Sequence, residues 1–395
     1  MSSSSENTLE QLNAHLNSPR RTWLFGAGVS CNAGIPLMAA LTTRVRSLLN
    51  AIDAKLYDSI YDSLSVGSHI EHVLSQIGDL ISLAERSKSK NTQLGGVEYS
   101  SEALREFHAT LLIKIGETVK YGYRPASDSD AERVGTSEKP IVSVDNHMAF
   151  VRAIFSSSQA GLESQRPPIS FFTTNYDTLL EDALALARIP YVDGFVGGAS
   201  AFWAPESAYG DTSDRNNFYR ARVYKLHGSV DWYLDKDGEV VRCRDGCAYP
   251  DRAGNLLIYP QSTKYVATQK DPFAGVFSRF RRALDAGPDN VLIICGYSFG
   301  DEHVNGEIHS AMSSIKNKTV ILAFAAENDH GIPSTLKEWL ECSLWKERLF
   351  VATDKGLYHG SLENLMPVTT SPHAWWTFQG LTELVRNGPP HAEQS

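Results

Sequence analysis

Residues 23–36 read Trp23-Leu24-Phe25-Gly26-Ala27-Gly28-Val29-Ser30-Cys31-Asn32-Ala33-Gly34-Ile35-Pro36, and the reading of this stretch decides the fold. Trp23, Leu24 and Phe25 form a short apolar run of buried-strand type, and glycine follows at once. A strand ending in Gly-x-Gly predicts a tight turn whose backbone N–H groups approach a pyrophosphate, because Gly26 and Gly28 interpose no Cβ. Gly34 and the helical pattern after it add the field of a helix N-terminus. Taken alone, such a loop serves equally as an ordinary strand-to-helix turn.

Three more segments share its form. Thr173-Thr174-Asn175-Tyr176-Asp177 and Gly296-Tyr297-Ser298-Phe299-Gly300-Asp301 each follow an apolar run, and Lys225-Leu226 ends one before His227-Gly228-Ser229. Ligands of open α/β sheets bind at the carboxyl ends of the strands, so four such loops predict one crevice. Further strand runs lie at 256–259, 320–323 and 349–352, and helical patterns at 178–187, 273–284 and 304–314 separate several of them. Strands alternating with helices predict an α/β fold: a Rossmann-like, mostly parallel sheet with helices on both faces.

Residues 37–165 carry helical periodicity only, as in Ile70, Val73, Leu74, Ile77, Leu80 and Ile81, or Leu104, Phe107, Leu111, Leu112 and Ile115. They read as a helical insertion beside a core of residues 21–36 and 166–355. Residues 1–20 form an N-terminal segment, disordered over 1–8 with a short helix over 9–16, and 356–395 a C-terminal extension. The polar stretch 86–101 lies between two helices, and 121–139 reads as a mobile loop.

With 395 residues and 42% hydrophobic content, the chain is long enough for a sizeable core. Its formal net charge of −9 argues against a surface built to hold nucleic-acid phosphates. The 5 cysteines are an odd number without framework spacing, there is no signal-like apolar segment, and no run approaches the roughly 18 apolar residues of a membrane span. The expectation is a cytoplasmic protein without direct nucleic-acid or membrane binding.

Asn175 and Asp177 are two apart at a strand end, so in extended chain they face one way and Tyr176 the other. Asp177 also reads as the cap of the helix that follows. A buried Asn175 amide needs partners for both its donor and acceptor sides. His227 is either a structural hydrogen-bonder or a base, with an ordinary pKa near 6.5 that suits proton transfer at neutral pH. Gly296 and Ser298 offer a second close backbone approach and a hydroxyl, or simply a turn. Asp53 stands about 20 residues past the glycine loop, where a dehydrogenase places a ribose-binding acid, but in a helical pattern, which weakens the hydride-transfer reading. Cys243 and Cys247 make one pair where a tetrahedral zinc site needs four ligands, and no metal is expected.

In this order the segments resemble the sirtuin superfamily and, within it, the bacterial sirtuin-like NAD-consuming domains of antiphage defence systems. The resemblance rests on residues 26–36, on Thr174-Asn175-Tyr176-Asp177, on Lys225 to Ser229, on Gly296 to Glu302, and on Ile70-Glu71 with Leu74. Two features depart from the family's protein deacylases. Leu37-Met38-Ala39 stands where a Phe-Arg pair follows the Gly-Ile-Pro, and one cysteine pair replaces two. The resemblance implies NAD⁺ as substrate, held by Gly26, Ala27, Gly28, Ser30, Ile35, Pro36, Asp177, Gly296 and Ser298. It implies Asn175 orienting water and ribose, and His227 as general base. The resulting expectation is NAD⁺ hydrolysis to ADP-ribose and nicotinamide, against the alternatives of NAD-dependent protein deacylation and non-catalytic NAD or ADP-ribose sensing. By analogy, a homo-oligomer working beside a separate HerA-like ATPase or another defence protein is expected, with 37–165 and the region of Trp375-Trp376 as assembly surfaces, although the tryptophan pair also reads as ordinary core.

Overall fold

Leu24, Phe172, Tyr224, Leu292 and Ile294 bury on one side of a sheet, while their chain neighbours Trp23, Phe25, Phe171, Val223, Ile293 and Cys295 bury on the other. Successive strand side chains point to opposite faces, so a strand that is apolar at every position must be covered twice. The computed structural model, which describes residues 3–156, 167–206, 219–244, 256–258, 272–368 and 370–389, shows how. Strands β1 (Arg20–Phe25), β6 (Ile169–Thr173), β7 (Tyr191–Val192), β10 (Ala221–Lys225), β14 (Asn290–Cys295), β15 (Val320–Ala325), β16 (Leu349–Thr353) and β17 (Leu357–His359) form an 8-stranded sheet. Its order is β17-β16-β15-β14-β1-β6-β10-β7, parallel except for the edge strand β17. From β10 to β16 the order repeats the 3-2-1-4-5-6 pattern of dinucleotide-binding sheets, with the switch point at β1 and β14.

One face is covered by α1 (Ser3–Leu16), α7 (Asp145–Ser156), α8 (Leu179–Leu186) and α12 (Phe378–Asn387), the other by α9 (Phe273–Leu284), α10 (Glu302–Met312) and α11 (Ser334–Glu341). Helix α1 already begins at Ser3, which corrects the expectation of disorder over residues 3–8; residues 1 and 2 lie outside the described residues. Leu9, Leu12 and Leu16 dock on the sheet, and tertiary burial of one face overrides the poor helix propensity of the leading serines. Trp375 is equally core, buried with its Nε1 donating to Thr353 O at 2.6 Å, and Trp376 packs beside it.

Helices α2 (Gly28–Cys31), α3 (Met38–Ser47), α4 (Ala51–Tyr61), α5 (Ile70–Arg86) and α6 (Ser101–Tyr121) follow β1, and α3 to α6 enclose a separate core. The periodic residues of α5 and α6 bury as their spacing requires. Two polar stretches depart from helical periodicity. Residues 86–101 contain the hairpin of β2 (Asn91–Leu94) and β3 (Val97–Ser100), turned by Gly95-Gly96 with φ of 57° and 81°, as two-residue hairpin turns require. Residues 121–139 contain the short ladder of β4 (Tyr123–Arg124) and β5 (Arg133–Val134). Asp53 lies in the first turn of α4 and accepts from the capping Asn50 side chain at 2.7 Å.

Strands β8 (Phe195–Gly197), β9 (Ser200–Trp203), β11 (Gly228–Leu234), β12 (Val240–Cys243) and β13 (Leu256–Ile258) make a second, antiparallel sheet in the order β13-β11-β12-β9-β8. The run expected at 256–259 belongs here, not to the parallel sheet, and Tyr259 lies outside the described residues. β11 is buried from Gly228 to Tyr233, its polar Ser229 and Asp231 as well as Val230 and Trp232. Cys243 is buried against the core of α3 to α6, and Cys247 lies outside the described residues. Among the described residues no helix is long and apolar enough to cross a membrane.

Gly306 is exposed inside α10, and a Cβ there meets nothing within 4 Å. Gly306→Ala should stabilise the fold by roughly 0.5–1 kcal/mol through lost backbone entropy of the unfolded chain. A chemical denaturation midpoint at or below that of wild type would contradict this.

Candidate active site

The four loops meet because their strands end level. Cys295, Phe25, Thr173 and Lys225 are paired across β14, β1, β6 and β10. The ladder continues one residue further: Gly26 N–H donates to Cys295 O at 3.1 Å, Thr174 N–H to Phe25 O at 3.0 Å, and Leu226 N–H to Thr173 O at 2.8 Å. The segments carrying Ser30, Asn175, His227 and Asp301 therefore leave the sheet side by side at its carboxyl edge.

The glycines are required first by one another. A Cβ on Gly26 would lie 2.5 Å from Gly296 O, one on Gly28 2.7 Å from Gly296 Cα, and one on Gly296 2.5 Å from Val29 N. Gly28 N–H donates to Gly296 O at 2.8 Å, so the N–H groups of Gly26 and Gly28 that the sequence assigns to a pyrophosphate are engaged within the protein. This corrects the expected reason for the Gly-x-Gly spacing: it lets two strand-end loops close on each other. Ala27, between them, is exposed. Gly34 has φ of 95°, and a Cβ there would lie 2.8 Å from Ile141 O. Ile35 packs into the core of α3 to α6 and Pro36 is buried. Ser298 is exposed, its Oγ accepting from Gly300 N–H at 3.4 Å.

Asn175, Ser30 and Asp177 form one chain of hydrogen bonds. A carboxylate only accepts, so the Ser30 hydroxyl donates to Asp177 Oδ2, at 2.8 Å. Ser30 Oγ then accepts from Asn175 Nδ2 at 3.1 Å. This sequence of donors fixes which way the Asn175 amide points. Its Oδ1 is buried, and among the described residues none donates to it. Asp177 Oδ1 accepts from Leu179 N–H at 3.0 Å at the start of α8, so Asp177 both starts the helix and holds Ser30. Tyr176 turns the other way, as the two-residue alternation predicts, and its hydroxyl donates to the Glu71 carboxylate at the start of α5. Burial, then the charge of Glu71, pushes the Tyr176 phenol well above its ordinary pKa and keeps it a donor.

His227 Nε2 lies 2.8 Å from Asp301 Oδ2, both side chains buried. The carboxylate requires a proton on Nε2, which leaves Nδ1 as the basic nitrogen of the neutral ring. Asp301 Oδ1 accepts from His303 N–H and Val304 N–H at 3.0 and 3.3 Å, capping α10. One aspartate thus starts a helix and orients the imidazole. Its capping pattern is visible in Asp301-Glu302-His303-Val304, but its bond to His227 crosses 74 positions and leaves no trace in sequence spacing.

Sequence reading passed over two further buried groups. Lys225 Nζ lies 3.3 Å from Glu181 Oε1 and 3.3 Å from Asn175 O, and also donates to Asp177 O. Burial pushes the Glu181 carboxyl up to about 7, against the lowering pull of Lys225 and Arg244. His147, in α7, is buried against Phe378 with its Nδ1 unpartnered among the described residues. Burial lowers its pKa to about 4, opposed by Asp177, so the ring is neutral. A histidine in a helical pattern gives no signal of this position.

Residues 169–346 match the family described as SIR2-like domain, and no curated protein matches the chain. The matched stretch contains Asn175, Asp177, Lys225, His227, Gly296 and Asp301, while the Gly26–Pro36 segment lies before it and joins it through β1. On a sheet of Rossmann-like order, this match supports a sirtuin-like reading of residues 169–346, and a SIR2-like domain implies NAD binding.

Proposed function

We propose that the protein is an NAD⁺ glycohydrolase that releases nicotinamide and ADP-ribose. The observation that carries this reading is the Asn175 amide: its Nδ2 is held by Ser30, and its buried Oδ1 lacks a donor among the described residues. A buried acceptor without a partner costs about 1–3 kcal/mol. A ribose hydroxyl or a water supplies the missing donor. The C1′–N bond of the nicotinamide riboside breaks toward an oxocarbenium-like state, and nicotinamide leaves as a neutral ring, so no strong acid is needed. Water then forms the C1′–O bond, and His227 accepts its proton, with Asp301 stabilising the imidazolium. Asn175 orients water and ribose, which favours the reactive geometry.

Water as acceptor, not an acylated lysine, fits the two departures from the deacylases: Leu37-Met38-Ala39 after Pro36, and one cysteine pair. By the same resemblance we propose an antiphage-defence effector, assembled as a homo-oligomer and held inactive until a partner such as a HerA-like ATPase triggers it. Incubation of the purified protein with NAD⁺, alone and with the product of the neighbouring gene, should release nicotinamide and ADP-ribose in equal amounts. O-acetyl-ADP-ribose formed only with acetyl-lysine peptide would replace hydrolysis by deacylation. Ligand-dependent thermal stabilisation without turnover would replace it by sensing.

A further inference from the structure

A buried ammonium lies beneath the Asn175 loop. Lys225 is the last residue of β10 and its side chain is 2% exposed. Its three N–H bonds have three acceptors: Glu181 Oε1, Asn175 O and Asp177 O. Between those two carbonyls, Tyr176 O accepts from Val230 N–H at 2.9 Å and from Ser229 Oγ at 3.2 Å. Every carbonyl of the Asn175–Tyr176–Asp177 loop is therefore bound by the segment that also carries His227.

Stability does not explain this lysine. A buried ion pair seldom outperforms well-packed apolar side chains of the same volume, because desolvation offsets the mutual attraction. Its placement does something an apolar residue cannot: it ties the loop bearing the amide to the segment bearing the imidazole, two residues along the chain from His227. Resting on the hydrolase reading above, we infer that Lys225 is a positioning residue for NAD⁺ cleavage, clamping the Asn175 loop in register with His227, and that Glu181 is the counter-ion that cancels its charge.

The counter-ion matters because positive charge develops on the ribose as nicotinamide leaves, and an uncompensated ammonium behind the loop opposes it. The groups facing Glu181 are Lys225 from β10, Asp231 from β11, Arg244 beyond β12 and Tyr191 from β7, while Asp182 of its own helix faces Arg244, Asp231 and Lys225. Arg244 lies 3.1 Å from Asp231 Oδ2 and 3.8 Å from Asp182 Oδ1, so its charge is met by those two carboxylates. His147 also faces Lys225 and Asp177, but burial keeps its ring neutral near pH 7. Glu181 Oε2 is buried without a donor among the described residues, an environment that favours its proton. Because burial pushes that carboxyl up to about 7, loss of the counter-charge should contribute to an acid limb of turnover in that range.

The test compares wild type, Glu181→Gln and the double variant Lys225→Met/Glu181→Leu, with steady-state nicotinamide release from NAD⁺ at pH 5.5 to 9 and thermal melting. The double variant removes both charges together but also the donor to the Asn175 and Asp177 carbonyls, so it should fold and melt somewhat below wild type. Its kcat should nevertheless fall about 10²-fold, the scale of a misplaced reactive group, with KM changed little. Glu181→Gln should lower kcat and remove the part of the acid limb that Glu181 contributes, leaving the part set by the His227 base. Wild-type release equalled by the double variant overturns the role of Lys225. An acid limb unchanged in Glu181→Gln overturns that of Glu181. No release from wild type, alone or with its neighbouring-gene partner, overturns the hydrolase reading and this inference with it. A double variant that fails to fold reassigns Lys225 to stability and also overturns the positioning role.

Discussion

Asn175→Ala should lower nicotinamide release by about 10²-fold or more while the protein melts near wild type, since what is lost is orientation of ribose and water. His227→Ala should cost more, about 10²–10⁴-fold, the usual range for removal of a general base. Asn175→Asp is the discriminating companion. It keeps the shape but replaces the Nδ2 donor to Ser30 with a second carboxylate beside Asp177, whose Oδ2 already takes the Ser30 hydroxyl at 2.8 Å. Two carboxylates competing for one hydroxyl proton repel, so this variant should be as inactive as Asn175→Ala and less stable. Full activity in Asn175→Ala or in His227→Ala would remove these residues from the chemistry. Activity in Asn175→Asp equal to wild type would show that the Ser30 bond does not set the amide.

Gly296→Ala should destabilise the fold by roughly 2–5 kcal/mol, from the left-handed backbone and from overpacking together. Gly296 has φ of 65°, and an added Cβ would meet Val29 N at 2.5 Å and Gly28 C at 2.9 Å. Those are backbone atoms of the facing loop, which cannot rotate aside as a side chain would. Gly26→Ala should behave alike, with its Cβ 2.5 Å from Gly296 O and 2.6 Å from Tyr297 Cα. Equilibrium denaturation measures both. A variant that kept its denaturation midpoint and lost only affinity for NAD⁺ would return these glycines to ligand approach as their main role. Gly306→Ala, exposed and unobstructed, is the matched control with the opposite sign.

Much of this site was legible before any coordinates. The apolar runs before Gly26, Thr174 and Gly296 announce strands of the buried parallel type, and loops at their carboxyl ends belong to one crevice. The alternation that places Asn175 and Asp177 together and Tyr176 apart follows from the period of two alone. The β2–β3 hairpin was also legible, through Gly95-Gly96, but the polar residues around that turn obscured it. β11 was not, because its alternation of Val230 and Trp232 with Ser229 and Asp231 starts directly inside the Lys225–Ser229 segment, which reads as a strand-end loop. Nor was the start of α1, where docking of Leu9, Leu12 and Leu16 determines the state of the serines before them.

The chain's own pattern of apolar runs, glycines and helical periods determined the layered α/β architecture, the edge where the site lies, and the identities of Asn175 and His227 as its candidates. Only the tertiary structure decided their partners: Ser30 for the Asn175 amide, Asp301 for His227, and Lys225 with Glu181 beneath the loop. The reason is physical. Local period and turn chemistry act between neighbours in sequence, whereas these bonds join residues 44 to 145 positions apart. Their geometry exists only once the strands have paired in register.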